Sequence, residues 1–121
     1  MHSVRKFCNQ RFLGLTKLFV ALIVCMSASF TFAAKPEFEL RIKDHLFYPS
    51  ELHVPANVKI KLLVLNEDST PEEFESYELN REKVILGNSK SVIFIGPLAP
   101  GIYPFFGEFN ITTAQGVIIA E

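Results

Sequence analysis

Cysteine is scarce in this sequence and confined to its beginning. The chain of 121 residues has two cysteines, Cys8 and Cys25, and its two methionines, Met1 and Met26, lie in the same stretch. From Ala34 onward the chain therefore contains no sulfur. No disulfide can stabilise that part, although small exported domains often depend on one.

The first 33 residues have the order of a secretory signal peptide. Four basic residues between positions 5 and 17 precede an uncharged apolar run over 18–26. Thr31 and Ala33 then place small residues at the two positions that a signal peptidase reads. We predict cleavage after Ala33, which leaves a domain of residues 34–121 that is not embedded in a membrane. The alternative is a retained membrane anchor, for which the run is short, since a spanning helix needs about 20 apolar residues.

Basic residues are few once the first 33 residues are set aside. Residues 34–121 contain eight Lys and Arg against thirteen Asp and Glu, a formal charge of −5. This balance argues against nucleic acid or an anionic membrane surface as the partner. It favours cations and basic protein surfaces.

Helical periodicity is also lacking, because no stretch of ten or more residues repeats its apolar positions at helical spacing. Short alternating stretches occur instead, with a turn signal about every eight to twelve residues. They predict strands over 37–43, 50–54, 58–65, 83–86, 89–95, 102–106 and 114–120. The stretch 70–79 is open between a short helix, for which Thr70 to Glu73 resembles a capping box, and a loop leading into a short strand. We favour the second.

These strands predict an all-β Greek-key sandwich of about seven to eight strands. Its core is expected to contain eleven apolar residues from both sheets. They are Phe38, Leu40, Ile42, Val58, Ile60, Leu62, Val64, Val92, Phe94, Phe105 and Val117.

The segment from Asn66 to Lys83 is the most densely charged part of the chain. Five of its glutamates, at positions 72, 73, 75, 78 and 82, follow the turn signal Ser69-Thr70-Pro71. A solvated face explains most such clusters and a cation site explains some. The sequence leaves both interpretations open.

Two pieces of the chain together resemble the cupredoxin fold: Asn66 to Phe74, and Tyr103 to Gly107 followed by Ala114 to Val117. In copper-binding relatives similar segments carry His, Cys, His and Met ligands. The matching positions here are Glu72, Gly107, Asn110 and Ala114. A blue-copper centre needs a Cys thiolate and two imidazoles, so the composition after residue 33 excludes blue-copper electron transfer.

A closer resemblance is to EfeO-type cupredoxin-like proteins of bacterial ferrous-iron transport systems. The residues that carry it are Glu72 to Ser76, Arg81 to Lys83, and Gly107 to Phe109. The resemblance implies a periplasmic accessory role, with an iron permease or a periplasmic iron-binding protein as partner. Asn110 departs from the group, in which a His commonly follows the Glu-Phe pair.

Two hypotheses follow for function. In the first, Glu72, Glu75, Glu108 and His45 bind iron and/or copper where loops converge, since carboxylates suit iron and one His admits Cu(II). The plainer interpretation is a solvated loop for the glutamates and a backbone-bonded loop residue for His45. In the second, the sandwich is a metal-free module that docks on a membrane permease or a periplasmic partner. No catalytic motif is present, so we expect no enzymatic role beyond help in ferrous-iron oxidation.

Overall fold

Nine β-strands build the part of the chain that a computed structural model describes, residues 28–121. They are β1 (Glu37–Lys43), β2 (Leu46–Tyr48), β3 (Glu51–Val54), β4 (Ile60–Asn66), β5 (Glu72–Ser76), β6 (Arg81–Ile85), β7 (Ser89–Ile95), β8 (Gly101–Gly107) and β9 (Gln115–Ala120). A 3₁₀ segment, Glu108–Asn110, follows β8. The predicted all-β class is confirmed, with nine strands instead of seven or eight.

The predicted signal peptide lies outside the described residues over positions 1–27. Within residues 28–121, no helix has the length and apolar character needed to cross a membrane.

The strands form two sheets that face each other. The four-stranded sheet has the order β2-β1-β4-β7, and the five-stranded sheet has the order β3-β9-β8-β5-β6. The pairs β1–β4 and β3–β9 are parallel, and the others are antiparallel. Alternate residues of each strand point inward, so both sheets contribute to one apolar core.

Six of the eleven expected core residues are fully buried: Leu40, Ile42, Ile60, Leu62, Val64 and Phe105. Phe38 is half-buried and packs against the edge of this core. The prediction is wrong for Val58, which is exposed because it precedes the start of β4. It is also wrong for Val117, because the inward position of β9 belongs to Ile118, which pairs with Leu52.

The predicted core residues are also wrong in β7. Ile93 and Ile95 are buried there, whereas Val92 and Phe94 are 39% and 44% exposed. The register pairs Ile93 with Leu62, which places both side chains on the inner face. Residues 92–95 are all apolar, so alternation in the sequence could not decide which pair points inward. Phe94 instead lies beneath the ammonium groups of Lys35 and Lys59, 5.2 and 5.8 Å from its ring centre.

The stretch left open in the sequence is a strand from Glu72, and the helix alternative is wrong. Glu72, Phe74 and Ser76 are buried at every second position, which is the period of a strand. Phe74 stacks on Phe105 at 5.1 Å, and both rings meet Phe47 of the other sheet edge-on. This aromatic contact joins the two sheets, and Phe74 lies on the same inward face of β5 as Glu72.

Candidate functional site

Strand β5 divides the acidic segment between two faces of the five-stranded sheet. Glu72 points inward with Phe74 and is 1% exposed, whereas Glu73 and Glu75 point outward and are half-buried. Residues that are adjacent in the sequence therefore belong to two separate environments. The inward and outward groups must be considered separately as candidate sites.

The inward carboxylate of Glu72 is held by three hydrogen bonds. Its Oε1 accepts from the backbone N–H groups of Glu73 and Phe109, each at 3.0 Å. Its Oε2 accepts from Nδ2 of Asn110 at 2.6 Å. A buried charge is costly unless it is hydrogen-bonded, and these contacts provide that compensation. They also join β5 to the 3₁₀ segment.

Two small residues complete the surroundings of this carboxylate. A Cβ atom added to Gly107 would lie 2.6 Å from Cδ of Glu72 and 2.7 Å from Cβ of Ala114. Ala114 is fully buried, and its carbonyl accepts from the N–H of Gly107 at 2.8 Å. The carboxylate of Glu72 thus fills the space that a larger side chain at position 107 would need.

The outward carboxylates form a cluster of their own. Carboxylate oxygens of Glu73, Glu75 and Glu82 lie within 4.8 Å of one another. The pKa of Glu75 is raised, first because its partial burial disfavours the charged form and then because Glu82, Glu73 and Glu108 repel that charge. We call Glu73, Glu75 and Glu82 the carboxylate cluster.

Glu73 and Glu82 were not predicted from the sequence as site residues. The alternation of β5 places Glu73 beside Glu75 and could have found it. Glu82 required the register of the β5–β6 hairpin, which pairs it with Glu75. That register depends on the turn over 77–80, where Asn80 adopts a positive φ of 50°.

His45 and Glu108, the remaining sequence candidates, lie on different loops. His45 is in the β1–β2 turn, where its N–H donates to Oδ2 of Asp68 at 3.0 Å and its ring Nδ1 lies 3.6 Å from the same atom. Asp68 also accepts from the N–H of Asp44 and so holds this turn in its positive-φ conformation. Glu108 begins the 3₁₀ segment and is exposed.

The outer face of the five-stranded sheet combines apolar and acidic residues. Its centre is an apolar band of strands β8 and β9, extended at one end by Tyr77 and Ile111. The band residues in these strands are Ile102, Pro104, Phe106, Val117 and Ile119. Ile102 pairs with Ile119 and Pro104 with Val117 across β8 and β9, and Phe106 pairs with Gln115. A groove of about 540 Å³ crosses the band beside Glu108.

Carboxylates flank the apolar band on both sides. The carboxylate cluster lies on β5 and β6, and Glu51 and Glu121 lie beyond β9, where both contact the ring of His53. None of the residues that point outward from the described strands of this sheet is Lys or Arg. We call the apolar band and its acidic flanks the docking face.

The family of the chain is given by comparison with known proteins. A model of the cupredoxin-like domain matches residues 14–120. The chain belongs to the cupredoxin-like family. It is 47% identical over 85 residues to the uncharacterized protein RP394 of Rickettsia prowazekii (strain Madrid E). The aligned region covers 70% of this chain and 68% of that protein.

Solved cupredoxin structures share the fold at low identity. The chain resembles auracyanin A, a "blue" copper protein of Chloroflexus aurantiacus, with a TM-score of 0.63 and 12% identity, covering 73% of this chain and all of that one. It resembles amicyanin from Paracoccus versutus with a TM-score of 0.56 and 14% identity, covering 76% and 86%. At such identities the likeness concerns the fold alone.

The residues present do not fit the copper that this fold family implies. The four matching positions converge, but they hold one carboxylate, one amide and two side chains without donor atoms. Copper sites of this type need thiolate and imidazole ligands. The carboxylate is already hydrogen-bonded to the amide, so these positions do not provide a copper ligand set.

Proposed function

We propose that this cupredoxin-like chain is an exported periplasmic accessory protein of bacterial iron transport, and that it acts by docking onto another protein. The iron-transport role draws on the resemblance to EfeO-type proteins. The docking role is supported by one observation, which is the apolar band with acidic flanks on the outer face of the five-stranded sheet. The partner we assign is an iron permease or a periplasmic iron-binding protein.

The composition of the docking face supports a protein partner of stated chemistry. Ile102 is 66% exposed, Tyr77 is 73% exposed and Ile111 is 49% exposed, so several large apolar side chains are available to a partner. Protein interfaces have an apolar centre and a polar rim, as this face does. Because its rim carries carboxylates, the complementary surface must present Lys or Arg around an apolar centre.

The opposite sheet provides the contrast. Its outer face carries Arg41, Lys61 and Lys90 among its strand residues, and Glu37 and Glu39 there are paired with basic side chains. The acidic character is therefore specific to the docking face and does not follow from the net charge alone. A basic partner would be oriented toward one sheet of the two.

Binding of the purified protein to the iron permease of the same organism tests this proposal. Glu75→Lys reverses one charge on the docking face, and Glu39→Lys makes the same change of net charge on the opposite sheet. We expect Glu75→Lys to weaken binding at least about tenfold and Glu39→Lys to leave it nearly unchanged. Equal losses would mean that only net charge matters, and no loss for Glu75→Lys would contradict the assigned face.

A second candidate function is the binding of a hard cation, iron above all, by the carboxylate cluster. The observation in its favour is the approach of three carboxylates within 4.8 Å, with the charge of Glu108 near enough to act on Glu75. Oxygen ligands suit iron and manganese better than copper. This candidate keeps Glu75 of the four ligands expected from the sequence, with the charge of Glu108 acting on it from nearby. Glu72 and His45 have the other contacts described above.

Anaerobic calorimetry with Fe²⁺, and with Mn²⁺ as a stable substitute, tests this candidate. Glu75→Gln and Glu82→Gln should each weaken uptake at least about tenfold, because each removes a charged ligand. Glu78→Gln removes an exposed carboxylate of the β5–β6 turn and serves as the control. Equal uptake by all four proteins, or none by the wild type, would contradict a cation site in the cluster.

A further inference from the structure

We propose that Glu72 and Asn110 form a structural lock that takes the place of a metal ion at the end of the sandwich. The lock consists of the Glu72 carboxylate, its three hydrogen bonds, and the small residues Gly107 and Ala114 that make room for it. It joins strand β5 to the segment after β8. This inference is independent of the docking role and of the cation candidate.

The hydrogen-bond chemistry of the lock disfavours a cation. A carboxylate can only accept hydrogen bonds, so the Asn110 amide must turn its NH₂ group toward Oε2 of Glu72. A cation between the two residues would face that NH₂ group and would displace the shortest bond of the lock. The backbone N–H groups of Glu73 and Phe109 already engage the other oxygen.

Packing around the lock leaves little space for an ion. A Cβ atom on residue 107 would clash with the carboxylate carbon of Glu72 at 2.6 Å and with the methyl group of Ala114 at 2.7 Å. Glu72 is 1% exposed and Ala114 is fully buried. The side chains thus fill the volume at which the four positions meet.

The lock has a structural consequence for the loop after β8. Phe109 N–H has the Glu72 carboxylate as its acceptor, and the Asn110 carbonyl accepts from the N–H of Ala114 at 2.8 Å. The last two residues of the 3₁₀ segment are therefore bonded to Glu72 of β5, and Asn110 is also bonded to Ala114, the residue before β9. We infer that this end of the domain is ordered without a metal.

A swap of the two partners tests the lock. Asn110→Asp places two carboxylates at hydrogen-bond distance and should lower the Tm by about 5 °C or more at neutral pH. Adding Glu72→Gln to that variant restores a donor opposite an acceptor and should recover most of the loss. Glu72→Gln alone should be milder, because the Asn110 amide can rotate and present its oxygen. If the double variant is no more stable than Asn110→Asp alone, the lock is overturned.

Amide hydrogen exchange supplies a local measurement that does not depend on the swap. Asn110→Ala should accelerate exchange of the Phe109 amide at least about tenfold while leaving core amides such as that of Leu62 unchanged. Glu73→Gln, on the same strand but pointing outward, serves as the matched control and should not change it. Unaltered exchange at Phe109 in Asn110→Ala would contradict the lock.

Metal binding provides the decisive contrast with the cation candidate. Any Cu²⁺ or Mn²⁺ that the wild type takes up should be taken up equally by Glu72→Gln and Asn110→Ala. A loss of uptake in these variants would show that the pair is a metal site and would overturn the lock. A loss confined to Glu75→Gln would support the carboxylate cluster and leave the lock intact, so the two proposals fail separately.

Discussion

Glu75 and Glu82 lie directly opposite each other in the β5–β6 ladder, with both carboxylates on the docking face. Like charges at opposed positions of a sheet destabilise the pair of strands. Partial burial and these neighbours raise the pKa of Glu75 above its ordinary value of 4.5. The cluster therefore reduces the stability of the fold at neutral pH.

We predict that Glu75→Gln raises the Tm by a few degrees at pH 7. Because the folded-state pKa of Glu75 is raised, its favourable contribution is present below the unfolded pKa and is lost as the pH rises through the folded pKa. The gain from the substitution should therefore shrink on acidification toward pH 4. Urea unfolding of both proteins at the two pH values measures this, and a gain that grows at low pH would contradict it.

The alternation of the sequence predicted the fold class, but it did not predict for every strand which alternate residues face the core. We call this choice the phase of a strand. In β1 and β4, polar residues such as Glu39 and Lys61 mark the outer face, and the inward residues Leu40 and Leu62 were correctly predicted. In β7 the apolar run has no such marker, and only pairing with β4 determines the phase. A strand that is apolar on both faces carries no phase information of its own.

The corrected phase of β7 predicts different costs for neighbouring substitutions. Ile93→Ala removes a side chain that is 5% exposed and should cost about 2–5 kcal/mol of unfolding free energy. Phe94→Ala removes a ring that is 44% exposed and lies beneath the ammonium groups of Lys35 and Lys59, and it should cost about 1 kcal/mol. Chemical denaturation measures both. A larger loss for Phe94 than for Ile93 would contradict the phase.

The candidate site was predictable only in part, for a comparable reason. The sequence showed that Glu72 and Asn110 match ligand positions of copper-binding relatives. It could not show that these two residues are hydrogen-bonded to each other. That bond depends on the packing of β5 against β8, where Phe74 pairs with Gly107. The glycine at position 107 indicated a close approach, but the group that approaches it, the Glu72 carboxylate, lies 35 positions earlier in the chain.

Asn66 is predicted to stabilise the loop that leads into β5. It is 2% exposed, its Nδ2 donates to the carbonyls of Thr70 and Ile85, and its Oδ1 accepts from the N–H of Asp68. Asn66→Ala leaves these groups without partners and should cost about 1–3 kcal/mol. Urea unfolding measures the loss, and amide exchange at Asp68 should accelerate. A variant as stable as the wild type would contradict this role.

Export is predicted from residues that lie mostly outside the described part of the chain. Protein recovered from a periplasmic extract should begin near Ala34, because small residues at 31 and 33 form the cleavage signal. Intact mass spectrometry measures the start. Ala33→Tyr should block cleavage, and Ala34→Ser, which leaves the recognised positions unchanged, serves as the control. A full-length product in the membrane fraction would contradict cleavage.

His53 is predicted to titrate above its ordinary range, although it lies on the surface. Its Nδ1 is 2.8 Å from Oε1 of Glu121 and its Nε2 is 2.9 Å from Oε1 of Glu51. Two carboxylates around one ring favour the imidazolium, in which both nitrogens donate. Hydrogen bonding to Glu121 first, and to Glu51 second, therefore raises the pKa of His53 above 6.5.

An NMR titration of the ring protons measures this pKa directly. Glu121→Gln should lower it more than Glu51→Gln does, because the bond to Glu121 is the larger cause. Since the folded-state pKa is raised, the contribution of His53 to stability is present below pH 6.5 and is lost as the pH rises through the folded pKa. Added salt should reduce the shift, because the group is exposed. A pKa at or below 6.5 in the wild type would contradict the bridge between the two carboxylates.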